Sequence, residues 1–435
     1  MIKYKSHMRK TYRILVTLLR KLRPLFPQYL VNYLYHLPLA FIASRMYGNP
    51  SEGLEIIAVT GTDGKTTTTS MIYHILKSAR RKVAMISTVE AKIGKKSLDT
   101  GFHVTTPDPF LLQRLLRRIR SQKIRYVVLE VTSHGLDQFR FFPIKPKIAV
   151  LTNITHEHLD YHGTYEKYRA AKLRLFKGAD HAVINKDQPD FPVINASLPK
   201  TLFSTYSLET DSQLKAQDLV ESEDSISFRL GRIVYKLPMT GKYNVSNALA
   251  AISTALLLEI NPVDIKRALL SFPGVKGRLQ EIKNNRGIHA YVDFAHTPNA
   301  LKEVLRNLKN KLGKNEKLIV VFGSAGLRDA SKRPLMGKYA AEFADQIIIT
   351  SEDPRSEDPQ QIAKEIIAGM PSSAKRKVVV ELDRGLAISR AINEFARSGD
   401  WVVSCGKGHE SSMNLDGWSE TPWSDQLSMQ EALNQ

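Results

Sequence analysis

The run Gly61-Thr62-Asp63-Gly64-Lys65-Thr66-Thr67 has the residue types that hold a nucleotide's phosphates. Glycines let successive backbone N–H groups turn inward around phosphate oxygens, a lysine neutralises the β/γ charge, and a threonine hydroxyl can ligate Mg²⁺. The run lies between an apolar stretch, 54–60, and a helical one, 66–80, although Val59 stands where such loops usually have a further glycine. Binding of ATP or GTP is implied. Phosphoryl transfer also needs acidic oxygen for the metal. Glu130 closes the apolar run Tyr126-Val127-Val128-Leu129, where a parallel strand would deliver its last residue to the phosphate edge, and Thr132, Ser133 and His134 follow it. A third run, ending Leu151-Thr152-Asn153, leads into His156, His158 and His162. Three histidines so close could serve a transition metal, but beside a phosphate loop a second Mg²⁺ and the phosphate are the better assignment.

These groups converge only if a parallel sheet brings them to one edge. From residue 54, short β-branched runs alternate with helical stretches, the pattern of parallel strands joined by crossover helices. Strands are expected at 54–60, 82–88, 125–131 and 147–152, with helices at 66–80, 108–121 and 164–177. The stretch Ile226 to Leu237 alternates like an antiparallel pair. Helices at about 243–258 and 263–271 then lead to Phe272-Pro273-Gly274-Val275-Lys276-Gly277, a breaker-rich joint where a domain boundary is expected. A second α/β series follows, with strands near 289–294, 317–323, 346–350, 376–380 and 400–405. The expected architecture is therefore α/β: a central parallel-sheet ATPase domain carrying the phosphate loop (51–276), a C-terminal Rossmann-like α/β domain (277–435), and a basic helical segment (1–50) ahead of both.

The chain has 435 residues, 63 Lys+Arg against 43 Asp+Glu, and a net charge of +20. Its lone Cys405 excludes a disulfide framework or a Cys-rich zinc module and points to a reducing compartment, the cytoplasm. Residues 1–50 hold nine Lys/Arg and no acid precedes Glu52. At 100° per residue Ile14, Leu15, Leu18, Leu19, Leu22 and Leu25 share a face opposite Arg9, Arg13, Arg20, Lys21 and Arg23, so a basic amphipathic helix is expected over 9–25. The apolar stretch Tyr29 to Ala43 is broken by Asn32, His36 and Pro38 and is too short to cross a bilayer, and no signal-peptide cleavage pattern follows. Packing on the next domain and contact with an anionic membrane at the inner face of the plasma membrane are equally compatible with this segment. Nucleic acid is not expected as a partner, because stacking motifs and groove-reading helices are missing.

The loop, Thr105-Thr106-Pro107-Asp108, Glu130-Val-Thr-Ser-His-Gly-Leu, His158-Leu-Asp-Tyr-His-Gly and Ala170-Ala171-Lys172 follow in the order seen in the Mur ligases. The similarity continues through Gly241-Lys-Tyr-Asn244-Val-Ser-Asn247, Gly277-Arg278, Asp293-Phe-Ala-His296-Thr-Pro, Gly326-Leu-Arg328-Asp-Ala-Ser-Lys-Arg333-Pro, Asp353-Pro354-Arg355 and Gly406-Lys-Gly-His-Glu410, covering about 54–425. The chain most resembles the tripeptide-synthetase branch, which adds the third residue of the peptidoglycan stem peptide. What the resemblance implies is an ATP-dependent acid–amino-acid ligase that phosphorylates a carboxylate and lets an amine attack the acyl phosphate. By that similarity Lys65 screens the phosphates, Thr66 and Glu130 ligate one Mg²⁺, His158 a second, and Arg278 reaches the γ-phosphate. Lys172 matches a lysine that CO₂ converts to N6-carboxylysine, a further metal ligand. Asn244 and Asn247 match adenine-side asparagines, though Asn244 alone could be a helix N-cap, and Asp293 matches a ribose contact. Thr105, Thr106, Thr132, Gln138 and Arg140 match contacts to a muramoyl dipeptide. Arg328, Arg355, Gly406 and Glu410 match contacts to meso-diaminopimelate, arginines suiting carboxylates and Glu410 an ammonium.

Two departures matter. Glu352-Asp353-Pro354-Arg355 stands where diaminopimelate-type enzymes have Asp-Asn-Pro-Arg; Arg355 favours a second carboxylate on the substrate, while Asp353 adds a negative charge that could favour L-lysine or another diamine. Only about 50 residues precede the phosphate-loop strand, too few for the family's usual uridine-binding domain, so UDP is held differently or is not on the acceptor. Competing readings are a folylpolyglutamate-synthase-like ligase, a lipid-linked precursor amidase, whose usual four-cysteine ribbon one cysteine cannot make, and a silent nucleotide-binding protein at a membrane surface. A monomer is expected.

Overall fold

A computed structural model describes residues 27–99, 106–155, 157–198 and 203–435. The helix expected at 9–25, Thr105 and His156 lie outside the described residues.

The first sheet has nine strands: β1 (Glu55–Thr60), β2 (Val83–Ile86), β3 (Glu90–Ile93), β4 (Lys96–Asp99), β5 (Tyr126–Glu130), β6 (Ile148–Leu151), β7 (His181–Asn185), β8 (Phe203–Ser207) and β9 (Leu214–Lys215). Their spatial order is β4-β3-β2-β5-β1-β6-β7-β8-β9, with β2, β5, β1, β6, β7, β8 and β9 parallel and β3 and β4 added antiparallel. The central strands are buried on both faces, which is why they read as unbroken apolar runs and not as alternation. One face packs on the helices Lys65–Ser78 and Lys242–Leu257, the other on Pro109–Ser121 and Tyr165–Leu173. Buried Ala248, Ala250, Ala251 and Ala255 let Lys242–Leu257 lie close against Lys65–Ser78.

Strands β10 (Gln217–Glu221), β11 (Ile226–Leu230) and β12 (Ile233–Leu237) form a small antiparallel sheet, the expected pair with one strand more. The breaker-rich joint lies between the helix Pro262–Leu270 and β13 (Gln280–Glu281). The second large sheet continues with β14 (His289–Asp293), β15 (Leu318–Phe322), β16 (Gln346–Ile349), β17 (Val378–Val380) and β18 (Trp401–Cys405), in the order β13-β14-β18-β15-β16-β17, parallel except for β13. All expected strands are present within a few residues. Missing from the expectation are β3 and β4, lysine-bearing strands at one end of the sheet, and β7 to β10, of which β9 has only two residues and β10 is mostly exposed.

Ahead of β1, the segments Gln28–Val31, Asn32–His36 and Leu37–Met46 form one helical rod. The middle segment is a π-helical turn directly before Pro38, a place where the missing N–H and the ring can be accommodated without breaking the helix.

Candidate active site

One cavity of about 910 Å³ lies at the strand ends where the two large sheets face each other, lined from both. The phosphate loop forms its floor. It runs from β1 into the helix Lys65–Ser78, with Gly64 in the left-handed conformation at the helix cap, φ 80°. A Cβ on Gly64 would collide with the Asn247 carboxamide, and one on Gly61 with the Thr152 hydroxyl. Asn247 therefore roofs the loop, and its Nδ2 lies 3.4 Å from Asn244 Oδ1. Asn244 sits inside its helix, whose cap is Gly241, and donates to the Thr240 carbonyl at 2.8 Å; the N-cap reading of Asn244 is corrected.

Lys65 Nζ donates to the Thr62 carbonyl at 2.7 Å. Burial holds its ammonium below the ordinary lysine range, opposed by Glu130 and Asp63. Thr66 Oγ1 donates to Glu130 Oε1 at 2.9 Å, and Arg278 Nη2, from the other side of the cavity, donates to the same hydroxyl at 3.1 Å. The backbone N–H of Thr88 holds the second Glu130 oxygen at 2.9 Å. Asp63 was foreseen as part of the loop but not as a crossing point: its carboxylate accepts from Thr297 Oγ1 (3.1 Å) and Asn299 Nδ2 (2.9 Å), while Asn153 Oδ1 takes its N–H. Asp293 caps the end of β14 by accepting from the N–H groups of Leu279 and Ala295.

Lys172 is buried, 1% exposed, with Nζ 2.6 Å from the Gly61 carbonyl and over the Tyr168 ring. Burial and the neighbouring Lys65 push its ammonium well below its ordinary range, which favours the neutral amine. His158 stands beside it, φ 59°, its ring edge-on to His134 at 4.7 Å. Burial lowers all three imidazoles: His158 well below its ordinary value, His134 to about 3 and His162 to about 4. Among the described residues no group of three His, Cys, Asp or Glu is placed to hold a metal ion alone; the histidine trio expected from the sequence includes His156, which lies outside them. Mg²⁺ asks for less. Thr66 and Glu130 supply adjacent hard oxygens, and Mg²⁺ customarily completes its octahedron with phosphates and water. His158 with an unmodified lysine is a poor second site; a carboxylate on Lys172 would make the pair suitable.

Thr106, Thr132, Gln138 and Arg140 form one network. Thr106 Oγ1 lies 2.8 Å from Thr132 Oγ1, Arg140 donates to the Thr106 carbonyl at 2.7 Å and to Gln138 Oε1 at 2.6 Å, and Gln138 reaches the Tyr161 hydroxyl. Thr105 lies outside the described residues.

At the opposite end Arg328 and Arg355 line the cavity, and neither makes an ion pair among the described residues. Arg355 Nη1 donates to the Gly326 carbonyl at 2.9 Å; burial and then Arg328 depress its guanidinium. Asp353 is not a free charge: buried Lys407 holds its Oδ1 at 2.9 Å and pairs with Glu410 as well. Asp353 still lines the cavity, and the negative charge it adds there is shared with Lys407. Glu352 is buried against Gly406, with Oε2 unpartnered, and burial raises its carboxyl to about 7. Pro354 is buried in the turn that follows. Sequence reasoning also passed over the buried pair Lys332–Glu157, 3.3 Å, which crosses the cavity wall. Lys407 lay within a quoted motif, and only its glycine neighbours marked it as unusual.

Residues 59–255 match the Mur ligase middle domain, and 277–408 match the Mur ligase glutamate ligase domain. A UDP-N-acetylmuramoyl-L-alanyl-D-glutamate–2,6-diaminopimelate ligase of Syntrophomonas wolfei subsp. wolfei is 40% identical over 384 residues, spanning 86% of this chain and 77% of that one. A UDP-N-acetylmuramyl-tripeptide synthetase of Roseiflexus sp. is 37% identical over 418 residues, 91% of this chain and 81% of that one. A solved UDP-N-acetylmuramoyl-L-alanyl-D-glutamate–2,6-diaminopimelate ligase superposes with TM-score 0.61 at 33% identity, covering 90% of this chain and 82% of that one. Folylpolyglutamate synthase of Mycobacterium tuberculosis shares the fold, TM-score 0.69 at 16% identity over 85% of this chain and 92% of its own. With a phosphate loop, a trans-cavity arginine and both domain matches in one chain, the protein belongs to the Mur ligase family, the ATP-dependent acid–amino-acid ligases of peptidoglycan synthesis.

Proposed function

We propose that this ligase adds a diamino acid, meso-diaminopimelate before L-lysine, to the D-glutamate carboxylate of a muramoyl dipeptide in the cytoplasm. The observation that carries the choice is the pair Arg328 and Arg355. Two guanidiniums without ion-pair partners among the described residues, in one cavity wall, call for an anion, and the distal carboxylate of diaminopimelate provides one where lysine has none. The arrangement Asp353–Lys407–Glu410 combines two carboxylates with one ammonium, leaving a net negative charge for the incoming ammonium.

In the reaction, an acceptor carboxylate oxygen held by the Thr106, Thr132, Gln138 and Arg140 network attacks the γ-phosphorus, and ADP departs with the bridging oxygen. The amine then attacks the acyl carbon; phosphate leaves with the former carboxylate oxygen, and the nitrogen loses a proton. Lys65 and Arg278 screen the approach of one anion to another. Thr66 and Glu130 would hold a Mg²⁺ and His158 a second, which would supply charge neutralisation across the phosphates. Burial favours the neutral form of the Lys172 amine, the form that adds CO₂, and a carboxylysine there would add an anionic oxygen ligand beside His158. Asn247, Asn244 and Asp293 line the side on which the nucleoside would lie.

ADP release with a muramoyl dipeptide, with and without UDP, against diaminopimelate, lysine, ornithine and glutamate tests this reading. Release is expected to be fastest with diaminopimelate. Release that tracks glutamate with a folate acceptor would overturn it.

A further inference from the structure

The helical rod of residues 28–46 turns one side to the protein. Asn32, Ala40, Ala43 and Ser44 are buried there. Asn32 Nδ2 donates to Asp137 at 2.7 Å, and the same carboxylate accepts from the Tyr161 hydroxyl at 3.1 Å. The other side is apolar and open: Leu34 is 75% exposed, and Tyr33, Tyr35, Phe41 and Ile42 are each about half exposed. An amphipathic helix bounded by water normally puts polar groups on that side, and a contiguous patch of large apolar side chains marks a contact surface.

The surroundings are cationic. Arg45 ends the rod, and the neighbouring helix Pro109–Ser121, which packs on its second half, exposes Arg114, Arg117 and Arg120. Eight Lys/Arg precede residue 27, and the first 51 residues contain no Asp or Glu. Phenols and aliphatic side chains beside arginines are the composition that settles in the headgroup layer of a bilayer.

We propose that this face docks on anionic lipid, with the rod lying in the membrane surface. It rests on the bilayer and does not cross it, since among the described residues no helix is long and apolar enough to span. A second copy of the chain is the less suitable occupant, because pairing two predominantly basic surfaces brings like charges together. Gln28, the first residue of the rod, lines the same cavity as Gln138, Arg140 and Tyr161. Docking therefore brings the acceptor end of the cavity to the bilayer. The inference is independent of which amino acid is added.

The test is flotation of the full-length protein with phosphatidylcholine vesicles, with and without phosphatidylglycerol, beside a variant carrying Leu34→Glu, Phe41→Glu and Ile42→Glu. Wild type is expected to float with the anionic vesicles, less so at high salt. Each lost apolar contact is worth about tenfold in affinity, so the variant should bind at least about a hundredfold more weakly, with ADP release on soluble substrates unchanged. A milder variant, Leu34→Ala with Phe41→Ala and Ile42→Ala, carries the test if the first fails to fold. Wild type that does not float, or variants that float as it does, would overturn the proposal. So would a wild-type dimer that the variants convert to monomer with lipid binding intact, which would give the face to a second copy.

Discussion

The two ends of the cavity are built on opposite electrostatic plans. At the phosphate end the groups around the loop are tied to one another across the cavity: Thr66 joins Glu130 to Arg278, and Asp63 is held by Thr297 and Asn299. At the amino-acid end Arg328 and Arg355 make no ion pair among the described residues, and Glu352 has a buried oxygen with no hydrogen-bond partner there. The first plan prepares a geometry before the nucleotide arrives, which lowers the reorganisation needed in the transition state. The second leaves charge unbalanced until a substrate balances it, which is how a site discriminates between ligands differing by one carboxylate.

If the contrast is sound, damage at the phosphate end should appear in turnover and damage at the other end in selectivity. The largest effect is expected for Lys65→Ala, a fall in ADP release of about a thousandfold with every amino acid tested. Steady-state assays against diaminopimelate and lysine would check it. A loss confined to one amino acid would break the contrast.

Next in size, Lys172→Ala is expected to lower turnover by about a hundredfold, with recovery of part of it in acetate or formate, small carboxylates that can replace the missing one beside His158. Native mass spectrometry of the wild type should find one bound CO₂, lost in the variant. Failure of both readouts would leave Lys172 as an unmodified buried lysine packed on Tyr168.

Arg355→Ala is the corresponding experiment at the other end. Removing charge-assisted hydrogen bonds to a carboxylate should raise KM for diaminopimelate by about 10- to 100-fold and leave lysine nearly unaffected. An equal rise for both substrates would mean that Arg355 serves the fold through the Gly326 carbonyl.

The same two ends differ in how far they can be read from sequence. The phosphate loop, Glu130 after an apolar run and the alternation of strands and helices are local patterns, and the sheets follow them closely. Arg278 and Lys172 needed the family resemblance, because nothing local distinguishes them from other cations in a basic chain. The Asp63 contacts join residues more than 230 positions apart, and no spacing rule reaches that far. Asp353 shows the limit most clearly. Its charge is legible, but the neutralising partner Lys407 comes from the end of β18, so its sign alone misleads about what a substrate meets.

Glu352 offers the smallest and most physical test of the unbalanced end. Burial raises its carboxyl to about 7, with Lys332, Arg384 and Lys407 pulling the other way. In the unfolded chain the same group titrates near 4.5. Between those values the folded protein binds more protons than the unfolded one, so this residue's contribution to stability falls as pH rises from about 4.5 to 7 and is lost above that. Glu352→Gln removes the ionisation and keeps the shape. The variant should match wild type in Tm near pH 5 and exceed it near pH 8 by a few degrees, on the order of 2 kcal/mol. A bound diamino acid would shrink the difference at pH 8, because its ammonium adds to the counter-charge of those three cations. Identical Tm profiles for the two proteins would mean that Glu352 is already compensated without substrate, and the contrast between the two ends would narrow to the arginines alone.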